Sequence, residues 1–209
     1  MAVKGDPDHT APVGAGAPPA PRRTQASRRA ATRAALLGAA RELFAAKGFA
    51  GAGREEIVQR AGVTRGAMYH HFASKEDLFR AVYEEVETEV MGHVAEAAMV
   101  TTDPKESLQL GAVAWLEFAA DPAVARICLI DAPAVLDPAL RRQLSERYSV
   151  GMVRAVLQEC IDAGQITARP VDPLARVLLA ALLEAATLVG EGADRTEVAA
   201  IVEAMLDAL

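Results

Sequence analysis

Four Asp–Pro pairs divide the C-terminal part of the chain into segments, and each pair precedes an apolar stretch with helical spacing. An Asp carboxylate can accept hydrogen bonds from the free amides of a first helical turn, where proline is also tolerated. Asp194, followed three residues later by Glu197, resembles a capping box. Gly164 is expected to end one segment and Gly190 or Gly192 another, and no stretch alternates as a half-buried strand does. These signals predict five helices, which begin at Asp103–Pro104, Asp121–Pro122, Asp137–Pro138, Asp172–Pro173 and Asp194.

Four further helices are predicted before residue 100. The first ends at Lys47–Gly48, and a short second helix runs from about Arg54 to Ala61. After a turn at residues 62–64, Thr64 is suited to cap a third helix that runs to about His71. Ser74 caps a long fourth helix. Because Ala, Leu and Val dominate and only 4% of the residues are aromatic, the composition also favours packed helices over a sheet. The predicted fold is all-α, with about nine helices.

The charge is divided unevenly along the chain. Residues 22–80 contain 12 Lys and Arg against five Asp and Glu, whereas residues 81–209 contain nine against 21. A basic module attached to an acidic body is typical of a protein that places one end on a polyanion. Uneven surface charge without a function is the alternative.

Two short helices joined by a glycine-containing turn are typical of a helix-turn-helix, which places its second helix in the DNA major groove. Small side chains at Gly66 and Ala67 would let the helix backbone approach the bases. Arg65 can reach a guanine edge or a phosphate, and Tyr69 and His70 can donate to phosphate oxygens.

The stretch 32–79, with AARELFAAKGF and then EEIVQRAGVTRGAMYHHFASKEDLF, resembles the DNA-binding domain of the TetR family of bacterial repressors. The resemblance implies that the recognition helix begins with Thr64, Arg65, Gly66 and Ala67. It also implies that Tyr69 and His70 lie on the backbone side of that helix and that Lys75 clamps a phosphate. Gly53 stands where the family usually has a threonine, so Arg54 is expected to replace a missing phosphate contact.

Arginines also precede and enter the first helix. Such an arm could reach into the adjacent minor groove, whose narrow A·T tracts attract cations. A solvated arm without DNA contacts is an open alternative. The residues are Arg22, Arg23, Arg28, Arg29 and Arg33.

The resemblance further implies a homodimer, joined through its last two helices, on a roughly palindromic DNA operator. Leu174, Val177, Leu178, Ala181, Leu182 and Ala185 would suit that interface. The expected organisation is a disordered tail at residues 1–25, a helix-turn-helix domain at 26–80, and a ligand-binding and dimerisation domain at 81–209. The predicted function is a ligand-released repressor. A co-regulator that docks a protein partner and, less favoured, a small helical enzyme are the alternatives.

Four residues of the C-terminal body are candidate contacts for a small-molecule effector. Trp115 and Phe118 lie three positions apart and could line a cavity, although core packing explains them equally well. Asp131 and Glu184 interrupt apolar stretches and could anchor a polar group of the ligand. An intersubunit salt bridge or simple exposure is the favoured explanation for both.

Other chemistry is not expected. Adjacent histidines on a helix, such as His70 and His71, point about 100° apart and cannot easily share a metal ion. Cys128 and Cys160 are expected to be inert buried thiols, with a redox switch as the alternative. Glu184 interrupts the most apolar stretch, so a membrane span is not expected. The sequence predicts a cytoplasmic protein without a cofactor, a metal or a catalytic site.

Overall fold

The computed structural model describes Met1 and residues 24–209, and every regular element in this part is helical. The prediction of an all-α fold with about nine helices is therefore confirmed within the described residues. The expected tail, including Arg22 and Arg23, lies almost entirely outside them. The helices are α1 (Gln25–Gly51), α2 (Arg54–Arg60), α3 (Arg65–His71), α4 (Lys75–Ala98), α5 (Pro104–Ala119), α6 (122–135), α7 (138–162), α8 (Val171–Gly190) and α9 (Arg195–Asp207).

Two of these helices contain wider π-helical turns. In α6 the π segment is Ala125–Asp131, and in α7 it is Glu146–Val150. Such turns are frequent at functional sites because they redirect side chains out of the regular helical pattern.

Most predicted helix starts are confirmed by their caps. The carboxylates of Asp103, Asp121, Asp137 and Asp194 each accept a hydrogen bond from an amide of the helix that follows. The predicted cap at Asp172 is wrong. Helix α8 begins two residues earlier, at Val171 behind Pro170, so Asp172 lies inside the first turn and forms an ion pair with Arg154.

Helix α4 joins the two parts of the molecule. Its first turns pack Leu78 and Phe79, both fully buried, against α1, where Phe79 lies edge-on to Phe44 with ring centroids 5.2 Å apart. Its later turns pack against α5. A displacement of α4 in the C-terminal body would therefore also shift its contacts with the N-terminal helices.

Helix α8 is apolar on two sides. Leu178, Leu182 and Ala185 are buried within the chain, so the prediction that these three suit an intersubunit interface is wrong. Val177 on the same helix and Ile201 on α9 are 67% and 69% exposed. Of the described helices, α8 alone has the length and apolar composition to cross a membrane, a test that core helices of soluble proteins also pass.

Gly48 allows α1 to approach α6 closely. Its φ of 69° and ψ of 171° end the regular part of α1 where the sequence predicted, although a last turn continues to Gly51. This backbone conformation is essentially restricted to glycine. A Cβ atom at residue 48 would also collide with the guanidinium of Arg126 in α6.

We expect Gly48→Ala to destabilise the protein by about 2 kcal/mol or more, because the conformation strains any side chain and Arg126 would have to leave Asp131. For a chain of this length that corresponds to a melting temperature lowered by about 4–8 °C. Thermal unfolding monitored by circular dichroism measures the change. The matched control is Gly38→Ala in the same helix, where a Cβ has open space and should stabilise slightly. Equal melting temperatures for the two variants would contradict the argument.

Candidate DNA-binding surface and ligand cavity

Helix α3 has one buried face and one exposed face. Thr64 caps it by accepting a hydrogen bond from the amide of Ala67 at 3.2 Å. Met68 is 1% exposed and joins Ile57 of α2 in the core. Arg65, Gly66, Tyr69 and His70 are exposed, and Ala67 is half-buried. The residues that the sequence placed against DNA thus lie on a surface that solvent, or DNA, can reach.

The guanidinium of Arg65 lies near two partners on this surface. It is 5.8 Å from the ring centroid of Tyr69 and 3.3 Å from the carboxylate of Glu55. Both members of the Arg65–Glu55 ion pair are well exposed, so the pair adds little to stability. A base edge or phosphate can therefore replace Glu55 at small cost.

Besides Arg65 and Arg33, whose ion pairs with Glu55 and Glu85 are longer, the described basic residues of the module form two groups. Arg41, Lys47, Arg60 and Arg80 each hold a carboxylate within 3.2 Å. A second group forms no ion pair within residues 24–209: Arg28, Arg29, Arg54 and Lys75. All four belong to the candidate DNA-binding residues or to the arginine arm of the sequence analysis.

Lys75 lies at the start of α4, with its ammonium 4.3 Å from the ring centroid of Phe49. Burial lowers the pKa of Lys75, and nearby Arg54 lowers it further, while Glu76 opposes the change. Gly53 caps α2 without a side-chain hydrogen bond, as expected for a chain that lacks the usual threonine. Arg54 and Lys75 thus form a cationic pair beside the amides of a helix N-terminus, which favours phosphate.

Arg29 and Arg33 lie beside the end of α3. Burial lowers the pKa of His71, and the charges of Arg29, His70 and Arg33 lower it further. Arg33 also lies 5.4 Å from the ring centroid of Phe72. These two arginines belong to α1 itself and extend the cationic surface along that helix.

A cavity of about 450 Å³ lies between α4, α5, α6, α7 and α8. Helix α4 alone contributes Tyr83, Glu87, Met91, Val94 and Ala98, which follow one another at helical spacing. The volume lies within the range of small-molecule sites, roughly 300–1,000 Å³. One wall therefore belongs to the helix that begins with Lys75.

Of the four predicted ligand contacts, only Trp115 lines this cavity. Its indole Nε1 donates a hydrogen bond to the carbonyl of Leu182 at 3.1 Å. Phe118 packs against the ring of His93, with centroids 4.5 Å apart, and Glu184 is exposed on α8. Asp131 also lies outside the lining.

Asp131 instead joins α6 to α1. Its Oδ2 accepts a hydrogen bond from the amide of Phe49 at 2.7 Å and lies 3.6 Å from Nε of Arg126. The residue is only 8% exposed and sits in the π segment that also supplies Cys128 and Leu129 to the cavity. The buried carboxylate of Asp131 in the acidic body is thus bound by the Phe49 amide of the basic module.

Sequence reasoning missed the polar groups of the cavity. Glu87 is 7% exposed, and burial raises its pKa while the Tyr83 hydroxyl opposes part of the rise. Burial likewise raises the pKa of Tyr83. Glu87 could have been found, because it continues an apolar face of α4 between Tyr83 and Met91. Arg141 and Ser149 follow no such pattern in the polar first half of α7.

Cys160 is buried, and Cys128 is half-buried in the wall of the cavity. Burial raises the pKa of Cys128 and of Cys160, which disfavours the reactive thiolate. No group of three or more His, Cys, Asp or Glu residues suited to a metal ion occurs in the part of the chain that the structure describes.

Comparison with known protein families relates both parts of the chain to one group. Residues 36–82 match the model of the bacterial regulatory proteins of the tetR family. Residues 105–209 match the model of the tetracyclin repressor-like C-terminal domain.

Individual proteins with similar sequence or structure are transcriptional regulators. The transcriptional activator FasR of Mycolicibacterium smegmatis is 30% identical over 131 residues, which span 63% of this chain but only 56% of the activator. The transcriptional repressor AcnR of Corynebacterium glutamicum is 34% identical over 133 residues, 59% of this chain and 69% of the repressor. A solved TetR-family transcriptional regulator from Pectobacterium atrosepticum is 32% identical with a TM-score of 0.72, covering 88% of this chain and 94% of that one.

Proposed function

Because this chain belongs to the TetR family of bacterial regulatory proteins, we propose that it is a homodimeric repressor of a roughly palindromic operator, released by a small molecule that fills its cavity. The observation that carries the proposal is the exposed α3, in a module that also has four cations without an ion pair among the described residues. Such cations are available for phosphates. The body supplies a cavity of small-molecule size.

The apolar face that α8 and α9 leave uncovered supports the dimer. Only 28% of the apolar stretch of α8 is buried within one chain. Val177 and Leu188 on α8 and Ile201 on α9 remain exposed, and the exposed residues of α8 between the first two include Ala180 and Glu184. Pairing these helices around a two-fold axis would bury this face and place two copies of α3 in successive major grooves, about 34–36 Å apart.

Two connections support release by a ligand. Helix α4 lines the cavity with five side chains and carries Lys75 at its other end. The π segment of α6 lines the cavity with Cys128 and Leu129 and holds the Phe49 amide through Asp131. The Phe49 ring in turn lies under Lys75. A ligand that binds better when these helices are displaced shifts the protein away from the DNA-binding state.

The experiment that tests the proposal is selection of bound DNA from random-sequence duplexes. Filter binding then measures the affinity for the selected duplex at several salt concentrations. Each neutralised phosphate changes the slope of log affinity against log salt by about −0.9. Four unpaired cations in each of two subunits therefore predict a slope of about −7. Lys75→Gln should make the slope shallower by about 2, since it removes one phosphate contact from each subunit. The control is Arg169→Gln, at an exposed position in the loop before α8, which should leave the slope unchanged.

A co-regulator that docks a protein would give no selected sequence and a shallow slope. A helical enzyme would convert small molecules in an incubated mixture, which mass spectrometry detects. Run-off transcription from the selected operator separates a repressor from an activator. The location proposed for this regulator is the cytoplasm.

A further inference from the structure

The charges that line the cavity are unequal in number. Among its lining residues are two arginines, Arg141 and Arg142, and one carboxylate, Glu87. The cavity is therefore positive whether Glu87 is ionised or neutral. The electric field of this excess positive charge is stronger beside the apolar wall than in water, because the low dielectric constant there screens it poorly.

Neither arginine forms an ion pair within the described residues, and Arg141 is the less exposed of the two. Its Nε is buried and makes no hydrogen bond, and no carboxylate within the described residues lies within 4.0 Å of its guanidinium. A guanidinium stays charged at any physiological pH, so it cannot avoid the cost of burial by losing its proton. An anion delivered into the cavity would satisfy it through a charge-assisted hydrogen bond.

Glu87 is less suited to a cation than Arg141 is to an anion. Its burial favours the neutral acid, which is a hydrogen-bond donor and acceptor rather than a fixed negative charge. The rest of the lining is largely apolar, with Trp115, Met91, Leu129 and Leu182 among its side chains. The lining thus combines a permanent cation with a largely apolar surface.

From these observations we propose that the effector is an amphiphilic organic anion, with a carboxylate or phosphate head at Arg141 and an apolar body against Trp115. The inference rests on the proposed function only in treating this cavity as the effector site. A lipophilic cation held by Glu87 is the alternative that the test must separate. The two sources of the anion, carboxylic acids and phosphate esters, share the chemistry that Arg141 recognises.

The test uses probes with one tail and different heads: decanoate, decyl phosphate, decanamide and decylamine, each below its micelle concentration. Trp115 is the only tryptophan of the chain and lines the cavity, so its fluorescence reports binding without DNA. We expect at least one anion to bind more tightly than the amide and the amine. Arg141→Gln should weaken that anion about tenfold to a hundredfold, through loss of a charged hydrogen bond, and leave the amide unchanged.

The control variants are Glu87→Gln, which should keep or improve anion affinity, and exposed Arg169→Gln outside the cavity, which should change nothing. Tighter binding of decylamine that Glu87→Gln abolishes would overturn the inference, as would an unchanged anion affinity in Arg141→Gln. Failure of both anions to bind up to their solubility limit would also overturn it. Anion binding by a protein that selects no duplex would leave this inference intact and refute the proposed function instead.

Discussion

The substitution Arg65→Ala is expected to abolish sequence-specific binding to the selected operator. The guanidinium is the longest exposed donor at the start of α3, and its only ion pair within the described residues, with Glu55, is weak and exposed. A bidentate contact to a base is worth about 1–3 kcal/mol, and a two-fold dimer loses it twice. Operator affinity should therefore fall at least about thirtyfold. Competition binding against operators altered at each position measures the loss of discrimination.

Tyr69→Ala is expected to have a comparable effect, since it removes a phosphate donor and the ring beside Arg65. The matched control is Arg60→Ala on α2. That arginine is also exposed but is 2.8 Å from Glu42 and belongs to the ion-paired group. If Arg65→Ala and Tyr69→Ala both footprint like the parent protein while Arg60→Ala does not, α3 is not the recognition helix.

The helix boundaries were predictable because they depend on local chemistry. An Asp before Pro can cap the helix that follows through hydrogen bonds to neighbouring amides, and Asp103, Asp121 and Asp137 all behave in this way. Asp172 does not cap its helix because of a tertiary contact. Arg154 of α7 attracts its carboxylate, and Pro170 has already ended the preceding loop.

The DNA-facing residues were also predictable, since they are contiguous in sequence and follow a family pattern. The cavity was not, because its residues come from five helices and their meeting is decided by packing. Asp131 illustrates the limit. A lone carboxylate among apolar residues signals a buried partner, but no local pattern indicates that the partner is the Phe49 amide, 82 positions away. No sequence pattern marks Arg141 as a cavity residue, because it lies among other polar residues at the start of α7.

Disruption of the apolar face shared by α8 and α9 is the second large effect that we expect. In the double variant Val177→Glu and Ile201→Glu, four carboxylates per dimer would enter a desolvated interface without partners. Burying an unpaired charge costs several kcal/mol, so dimerisation should weaken by a factor of a hundred or more. Sedimentation at micromolar concentration should then give a species of 22.0 kDa instead of twice that mass. Because both side chains are about two-thirds exposed in one chain, the subunit should remain folded by circular dichroism.

The same variant separates dimerisation from DNA contact, since it leaves α3 and all four unpaired cations in place. A monomer binds one half-site at a time and loses the advantage of linked binding, so operator affinity should fall at least about a hundredfold. Affinity for a single half-site should not change. Val100→Glu, at an equally apolar position that is 81% exposed beyond the end of α4, is the control and should remain dimeric. A double variant that still sediments as a dimer and footprints both half-sites would show that the two subunits meet through another surface.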